Sequence, residues 1–268
     1  MSECVQPYYF KDGSLIECSS FHMGLINEGK SIYEVARLFG KRILFLEDHL
    51  DRFGNSLALE GIASSPAKSE IINGLEALIS RNTVEEGNIK FALNVNPQKD
   101  SHFIAYFVEH RYPAEKDYVQ GVKVSTFPFE RKDPNKKLWR PEFRRKIAEF
   151  INSKQAFEAL LIDSKNSVPE ASKSNVFAII NNTVITPPDE LVLPGITRKY
   201  VLKICRELGI PVRMRTIQLE EIKRLNGLFL TGTSIHVLPV CQVNDTRLSV
   251  ENEIIRNIMN EFQKIINS

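Results

Sequence analysis

Residues 134–137 read PNKK, residues 168–177 read VPEASKSNVF and residues 193–200 read LPGITRKY. Lys137 precedes Glu170 by 33 positions, and the LPGIT turn lies further on. Each stretch offers a distinct chemistry. A lysine amine can hold an aldehyde as an imine. A carboxylate can hold a protonated pyridine nitrogen through a charge-assisted hydrogen bond. A helix N-terminus opened by glycine aims backbone N–H groups and the positive end of the helix dipole at a phosphate.

The composition is that of an ordinary soluble globular protein. The chain has 268 residues, 43% of them hydrophobic and 25% charged, with net charge +2. That length suits one large or two modest domains. The basic residues are interspersed, so neither nucleic acid nor a membrane surface is called for. Arg140 and residues 144–146 fall in a helical pattern and read as a solvated face. Cys4, Cys18, Cys205 and Cys241 form no CxxC and no Cys/His cluster, so no metal site and no redox pair is expected. Reduced thiols in a cytoplasmic protein fit this usage. The start MSECVQPYYF lacks the basic-then-apolar order of a signal peptide. No apolar run is long enough for a membrane helix.

Residues 8–10 and 15–17 flank Asp12-Gly13, a hairpin signal. Residues 32–39 and 42–46 flank Gly40-Lys41, a second hairpin. Leu50, Phe53 and Leu57 recur at helical spacing within 46–59. A second helix is expected over 65–79, then strands at 90–95 and 102–108. Residues 1–112 therefore read as a small α+β domain. The polar stretch 113–120 reads as a linker. Residues 121–268 read as a larger domain that mixes strands and helices, with an amphipathic helix at 251–266.

In its ordered blocks the chain resembles the fold-type IV pyridoxal-phosphate enzymes, which include branched-chain and D-amino-acid aminotransferases and 4-amino-4-deoxychorismate lyases. The blocks are SIYEV (31–35), FLEDHLDRF (45–53), FEALLID (157–163), PEASKSNVF (169–177), LPGITR (193–198) and FLTGTSIHVLPV (229–240). No single block decides the matter; six in the family's order and spacing do. The resemblance implies an α+β, two-domain fold like that of D-amino-acid aminotransferase. A small N-terminal domain would precede a larger, α/β-barrel-like one, with pyridoxal 5'-phosphate in the cleft. It also implies a homodimer.

The resemblance assigns roles residue by residue. Lys137 would form the imine and then carry the proton between substrate and cofactor. Its neighbour Lys136 is the rival within the motif. Glu170 would hold the pyridine nitrogen. Gly195, Ile196 and Thr197 would bind the phosphate, with Thr233 adding a hydroxyl and Arg52 a planar fork. The alternative for Arg52 is a surface pair with Asp48. Ser174 and Asn175, with Ser172, would touch the cofactor or cap a turn. Tyr33 and His236 would face the substrate, and His49 would orient loops. Three departures stand out. Lys30 replaces an acid of the family's triplet, Ala171 replaces a glycine, and Leu138, Trp139 and Arg140 follow the lysine.

The activity these roles imply is ping-pong transamination between an amino acid and a 2-oxo acid. The strand at 90–96 and the residues up to Asp100 lack the arginine–histidine carboxylate trap of D-amino-acid aminotransferases. That favours branched-chain-like L-amino acids. A lyase acting on 4-amino-4-deoxychorismate would use the same lysine, glutamate and phosphate grip. A non-catalytic scaffold would not need to keep Lys137, Glu170 and Arg52 together.

Overall fold

The computed structural model describes residues 3–96 and 101–268, so residues 97–100 of the stretch read for a carboxylate trap lie outside the described residues. The chain divides into two compact units. The first is Met1–Arg111 with Lys136–Pro141, and the second is Tyr112–Asn135 with Glu142–Ser268.

The first unit is built on an antiparallel sheet. Its strands are β1 (Tyr8–Lys11), β2 (Ser14–Glu17), β3 (Lys30–Phe39), β4 (Arg42–Ile43), β5 (Gly87–Val95) and β6 (His102–Val108), in the order β2-β1-β6-β5-β3-β4. A short helix α1 (Gly24–Asn27) precedes β3. The β1–β2 turn needs two left-handed residues, and Asp12 and Gly13 have φ of 44° and 85°. Gly40 and Lys41, at 55° and 64°, do the same between β3 and β4. Strand β4 is shorter than expected because helix α2 (Leu46–Leu59) starts at once. Helix α3 (Lys68–Asn82) follows, its Glu70 carboxylate accepting the Ala67 N–H at 2.8 Å.

Alternation along the strands sends two sets of side chains to two faces. Ile32, Ala36, Leu38, Ile89, Phe91 and Leu93 meet Leu50, Phe53, Leu57, Leu75 and Leu78 of α2 and α3. Tyr33, Ala92, Ile104 and Tyr106 face the other way, under the N-terminal segment and Trp139. That segment corrects one expectation. Cys4 and Cys18 form a disulfide, their Cα atoms 6.3 Å apart. Cys4 bridges to Val108 and Cys18 closes the β1–β2 hairpin, a meeting that spacing alone does not show.

The second unit opens with α4 (Glu115–Gln120), a helix where polarity suggests a linker. Its glutamate and aspartate sit in the first turn, where the helix dipole favours acids. Then come β7 (Val122–Pro128), α5 (Pro141–Lys154), β8 (Glu158–Ile162), β9 (Ser167–Val168), β10 (Asn175–Ile180), β11 (Thr183–Thr186), α6 (Ile196–Glu207), β12 (Val212–Met214), β13 (Ile217–Gln218), β14 (Gly227–Gly232), β15 (His236–Val243), β16 (Thr246–Arg247) and α7 (Glu253–Asn267). The main sheet runs β12-β11-β10-β14-β15-β7-β8, with β16 on β15 and β9 paired to β13. Helix α7 buries Ile255, Ile258, Phe262 and Ile266, a four-residue stripe at helical spacing. Each is worth about 1.5–3 kcal/mol. Its N-cap is Asn252, whose Oδ1 accepts from the N–H groups of Ile254 and Ile255. Cys205 is buried in α6, and burial pushes its thiol up to about 11, which makes it inert near neutrality. Among the described residues no helix is long and apolar enough to cross a membrane.

Candidate active site

In the first unit the segment around Lys137 lies against β3 through one antiparallel bridge. Tyr33 N–H donates to the Lys137 carbonyl at 3.1 Å, Trp139 N–H to the Ser31 carbonyl at 2.9 Å, and Leu138 bridges Ile32. Lys137 N–H donates to Ser56 Oγ of α2 at 3.3 Å. These contacts fix the backbone on both sides of the lysine. Lys137 Nζ lies 5.1 Å from the centre of the Tyr33 ring, and Tyr33 meets Trp139 edge-on at 5.4 Å. The structure therefore brings Lys137 and Tyr33 together. It sends Lys136 elsewhere, to Glu60 Oε1 at 2.8 Å. Lys30 pairs with the same carboxylate.

Beside Lys137 lies a charge cluster that the sequence does not disclose. Glu34, in β3, has no exposed surface. Arg52 donates to it from Nε (to Oε1) at 2.8 Å and from Nη2 (to Oε2) at 2.7 Å. His49 Nδ1 lies 2.8 Å from Oε2. Arg52 is thus a buried partner of Glu34. Burial raises the Glu34 pKa, but Arg52 outweighs it, by charge and hydrogen bond, and His49 and Lys137 add to the lowering. The carboxyl ends far below the usual carboxylate range. Burial also lowers His49 below its ordinary 6.5, against the pull of Glu34. The neutral ring can then donate its Nδ1 proton to Glu34.

Both shifts predict acid lability of the same sign. Glu34 binds its proton more weakly when folded than when unfolded. Its contribution is therefore complete above the ordinary 4.5 and is lost progressively as pH falls from that value toward the much lower folded one. A neutral folded His49 loses ground once the unfolded ring protonates, below about 6.5. Thermal melts should fall as pH drops below about 6.5, through His49, and fall further below about 4.5, through Glu34; His49→Gln should flatten the upper part of that slope. A flat profile in the wild type would contradict the cluster.

In the second unit Glu170 is buried, 3% exposed. It sits in the turn between β9 and β10, where Leu160 bridges Ala171. Arg131 Nε lies 2.6 Å from its Oε1, and Leu193 N–H donates to its Oε2 at 3.2 Å. Arg131 also donates to the Ser172 carbonyl at 3.2 Å. Leu193 ties the carboxylate to the start of α6, two residues before the N-cap Gly195. Asn175 Nδ2 donates to the Leu193 carbonyl at 2.9 Å. Arg198, buried on α6, holds Asp189 and donates to the Pro187 carbonyl at 2.8 Å, which folds the preceding loop onto the helix. Asn135 of the PNKK turn anchors the same loop through the Asp189 and Val192 carbonyls.

The start of α6 suits a phosphate. Its N-cap Gly195 supplies no side-chain cap to the first-turn N–H groups. A Cβ at Gly195 would collide with Asn175 Oδ1, so the close approach requires glycine. Thr231 faces Asn175 across the β10–β14 ladder, so the two side chains share a face. Thr231 is 1% exposed, and its Oγ1 has no hydrogen-bond partner among the described residues. A buried hydroxyl without a partner costs free energy, which a ligand oxygen here would recover. No local pattern singles out Thr231; only the strand register discloses it. Thr231→Val should weaken binding of pyridoxal phosphate by about 1 kcal/mol, roughly fivefold, without lowering the melt of the apo protein. Titration of both proteins checks this; equal affinities would remove Thr231 from the site.

The other expected residues make the following contacts. The Ser172 and Ser174 hydroxyls donate to buried Glu158, at 2.5 and 3.4 Å. Asn175 braces the turn as described. Thr233 lies in the three-residue turn between β14 and β15, which packs by Gly232 on Lys173 and Ser174. His236 adopts a left-handed conformation, φ 51°, and its ring meets Phe262 of α7 at 5.6 Å.

Comparison with known proteins gives the family and the fold. The family Amino-transferase class IV matches residues 31–243. The branched-chain-amino-acid aminotransferase of Pseudomonas aeruginosa is 26% identical over 248 residues, covering 85% of this chain and 79% of its own. Among solved structures, the branched-chain amino acid aminotransferase of T.th. with pyridoxamine 5'-phosphate superposes with a TM-score of 0.85 at 19% identity, covering 97% of this chain and 94% of its own. A candidate 4-amino-4-deoxychorismate lyase of Legionella pneumophila superposes at 0.80 with 21% identity, covering 88% and 91%. Likeness at such identities speaks for the fold.

Proposed function

The chain belongs to the class IV aminotransferases, and from that premise we propose that it moves an amino group between a branched-chain-like L-amino acid and a 2-oxo acid. Its cofactor is pyridoxal 5'-phosphate. That group supplies an aldehyde that takes up an amine and a pyridine ring that accepts electron density. The residues present fit it. Lys137 holds the aldehyde carbon through Nζ and, once released, carries the proton taken from the substrate Cα. Tyr33 and Trp139 give the space beside Lys137 an aromatic wall that suits an apolar side chain. Glu170 holds a proton at the pyridine nitrogen, steadied by Arg131. The N–H groups of Ile196 and Thr197 bind the phosphate, with hydroxyls from Thr233 and Thr231. Arg52 is kept in the phosphate set as a residue that Glu34 already orients.

The observation that carries this reading is the link from the buried Glu170 carboxylate through Leu193 to the start of α6. It supports a carboxylate and an anion-binding helix start held by one loop. Glu170→Gln should leave the cofactor bound and lower kcat on the order of 10²-fold, about 3 kcal/mol, because a neutral amide cannot hold the pyridine proton. An unchanged kcat would make Glu170 a loop residue. A panel of amino acids, read by loss of the bound cofactor's visible absorbance, tests the substrate class. Branched-chain L-amino acids should discharge it fastest. Release of pyruvate from 4-amino-4-deoxychorismate, with no amino acid active, would favour the lyase. The reading includes a homodimer, which light scattering tests. It also includes a cytoplasmic location, where thiol pools would hold Cys4–Cys18 open, so thiol mapping of protein from its native cells is the check.

A further inference from the structure

Trp139 is the chain's one tryptophan, and a buried ion pair links it to the disulfide. Its indole N–H donates to Asn27 Oδ1 at 2.8 Å, which anchors one edge of the ring. The face meets Lys90. Lys90 of β5 lies opposite Tyr106 of β6, and its side chain is 3% exposed. Its ammonium stands 3.6 Å from the centre of the Trp139 ring and 5.6 Å from those of Tyr33 and Tyr106. A desolvated cation is held at an indole face by the ring quadrupole. Glu3 answers the charge. Its Oε1 accepts from Lys90 Nζ at 2.5 Å, and its Oε2 accepts from the Tyr106 hydroxyl at 2.8 Å. Beside the isolated Cys4–Val108 bridge and the Val5 N–H bond to the Phe107 carbonyl, the covalent tie on this segment is Cys4–Cys18. Cys4 is buried and Cys18 is partly exposed.

We propose that Cys4–Cys18 is a redox latch on substrate selection: oxidised, it holds Glu3 on Lys90 and so braces the Trp139–Tyr33 wall; reduced, it lets Glu3 leave and the wall loosen. The effect on substrate choice rests on the reading that Lys137 carries the cofactor. The latch itself does not, and all of its parts belong to the first unit. The opening agent is a dithiol. One thiolate attacks the Cys18 sulfur, the S–S bond breaks, and Cys4 leaves as a thiolate that takes a proton. The second thiol then frees Cys18 and closes the reductant as its own disulfide. Withdrawing the Glu3 carboxylate weakens the burial of the Lys90 charge, which moves toward water and off the indole face. Disulfides that meet a reducing thiol pool are of the sensing kind, which fits the proposed location.

The test takes the whole chain, oxidised or treated with dithiothreitol, with thiols counted by mass to show the bond open. Fluorescence of the one tryptophan reports the wall. Reduction should shift its emission to the red and raise its quenching by acrylamide severalfold. A disulfide that only stabilised the fold would lower the melt and leave the quenching of the folded protein as it was. Oxidised Glu3→Gln should already resemble the reduced wild type, and reduction should add little to it. The wild-type pair of measurements stands by itself if Glu3→Gln does not fold. With pyridoxal phosphate bound, the kcat/KM preference for leucine over alanine should fall about tenfold on reduction, the discrimination that an apolar wall supplies. Equal quenching of the two wild-type states overturns the latch. Oxidised Glu3→Gln that quenches like the oxidised wild type overturns the part given to Glu3. An unchanged preference beside a loosened tryptophan overturns the effect on selection. Absence of turnover with any amino acid in either state overturns the functional reading instead, and leaves the change at Trp139 in place.

Discussion

Lys137→Ala abolishes transamination in a protein that still folds. The change removes the amine that holds the aldehyde and the base that moves the substrate proton. A positioned general base alone contributes up to about 10⁴-fold, so a loss on the order of 10⁴-fold or more is expected. The fold is spared because the hydrogen bonds that hold this segment in place are made by its main chain. Tyr33 N–H still meets the carbonyl of residue 137, and Ser56 still accepts its N–H. Buried Glu34 loses one nearby positive charge but keeps Arg52 and His49. Steady-state rates with melts of the apo protein check both halves. A residual rate above a hundredth of wild type would mean that another group moves the proton.

Arg52→Ala carries the largest expected effect on stability. The sequence treats Arg52 as a phosphate ligand that could be removed without harm to the fold. The structure makes it the counter-charge of a carboxylate with no exposed surface. Removing one partner of a buried pair costs about 3–5 kcal/mol, because the other is left in a medium that does not solvate it. Glu34 then escapes by taking a proton, so the loss should shrink as pH falls from 8 to 5. Arg52→Lys should recover only part, since an ammonium cannot span both oxygens. Arg52→Met combined with Glu34→Leu should recover most, since no charge is then stranded. Urea unfolding of the three proteins decides. A loss under about 1 kcal/mol in Arg52→Ala would return Arg52 to the exposed class.

The sequence discloses turns and helix faces well, because those depend on neighbours. Asp12-Gly13 and Gly40-Lys41 announce hairpins by backbone preference alone. Leu50, Phe53 and Leu57 announce a buried face by spacing. What it conceals depends on partners far along the chain. Glu34 sits between apolar residues of a strand, and nothing local shows that Arg52 and His49 meet it. Residues 136–141 look continuous with the second half of the chain, yet they belong to the first unit, bridged to β3 at Leu138. Residues 115–120 look like a linker because they are polar, yet a short exposed helix needs little more than acids in its first turn. Cys4 and Cys18 meet only once β1, β2 and β6 are paired. Thr231 and Lys90 acquire their interest only from register and reach.

The assignment of the cofactor to Lys137 is tested most directly by its covalent trace. Wild-type holoenzyme reduced with borohydride and digested should yield one pyridoxyl-bearing peptide, with the added mass on Lys137. A pyridoxyl group on Lys136, Lys30 or any other lysine, or none at all, would contradict the account.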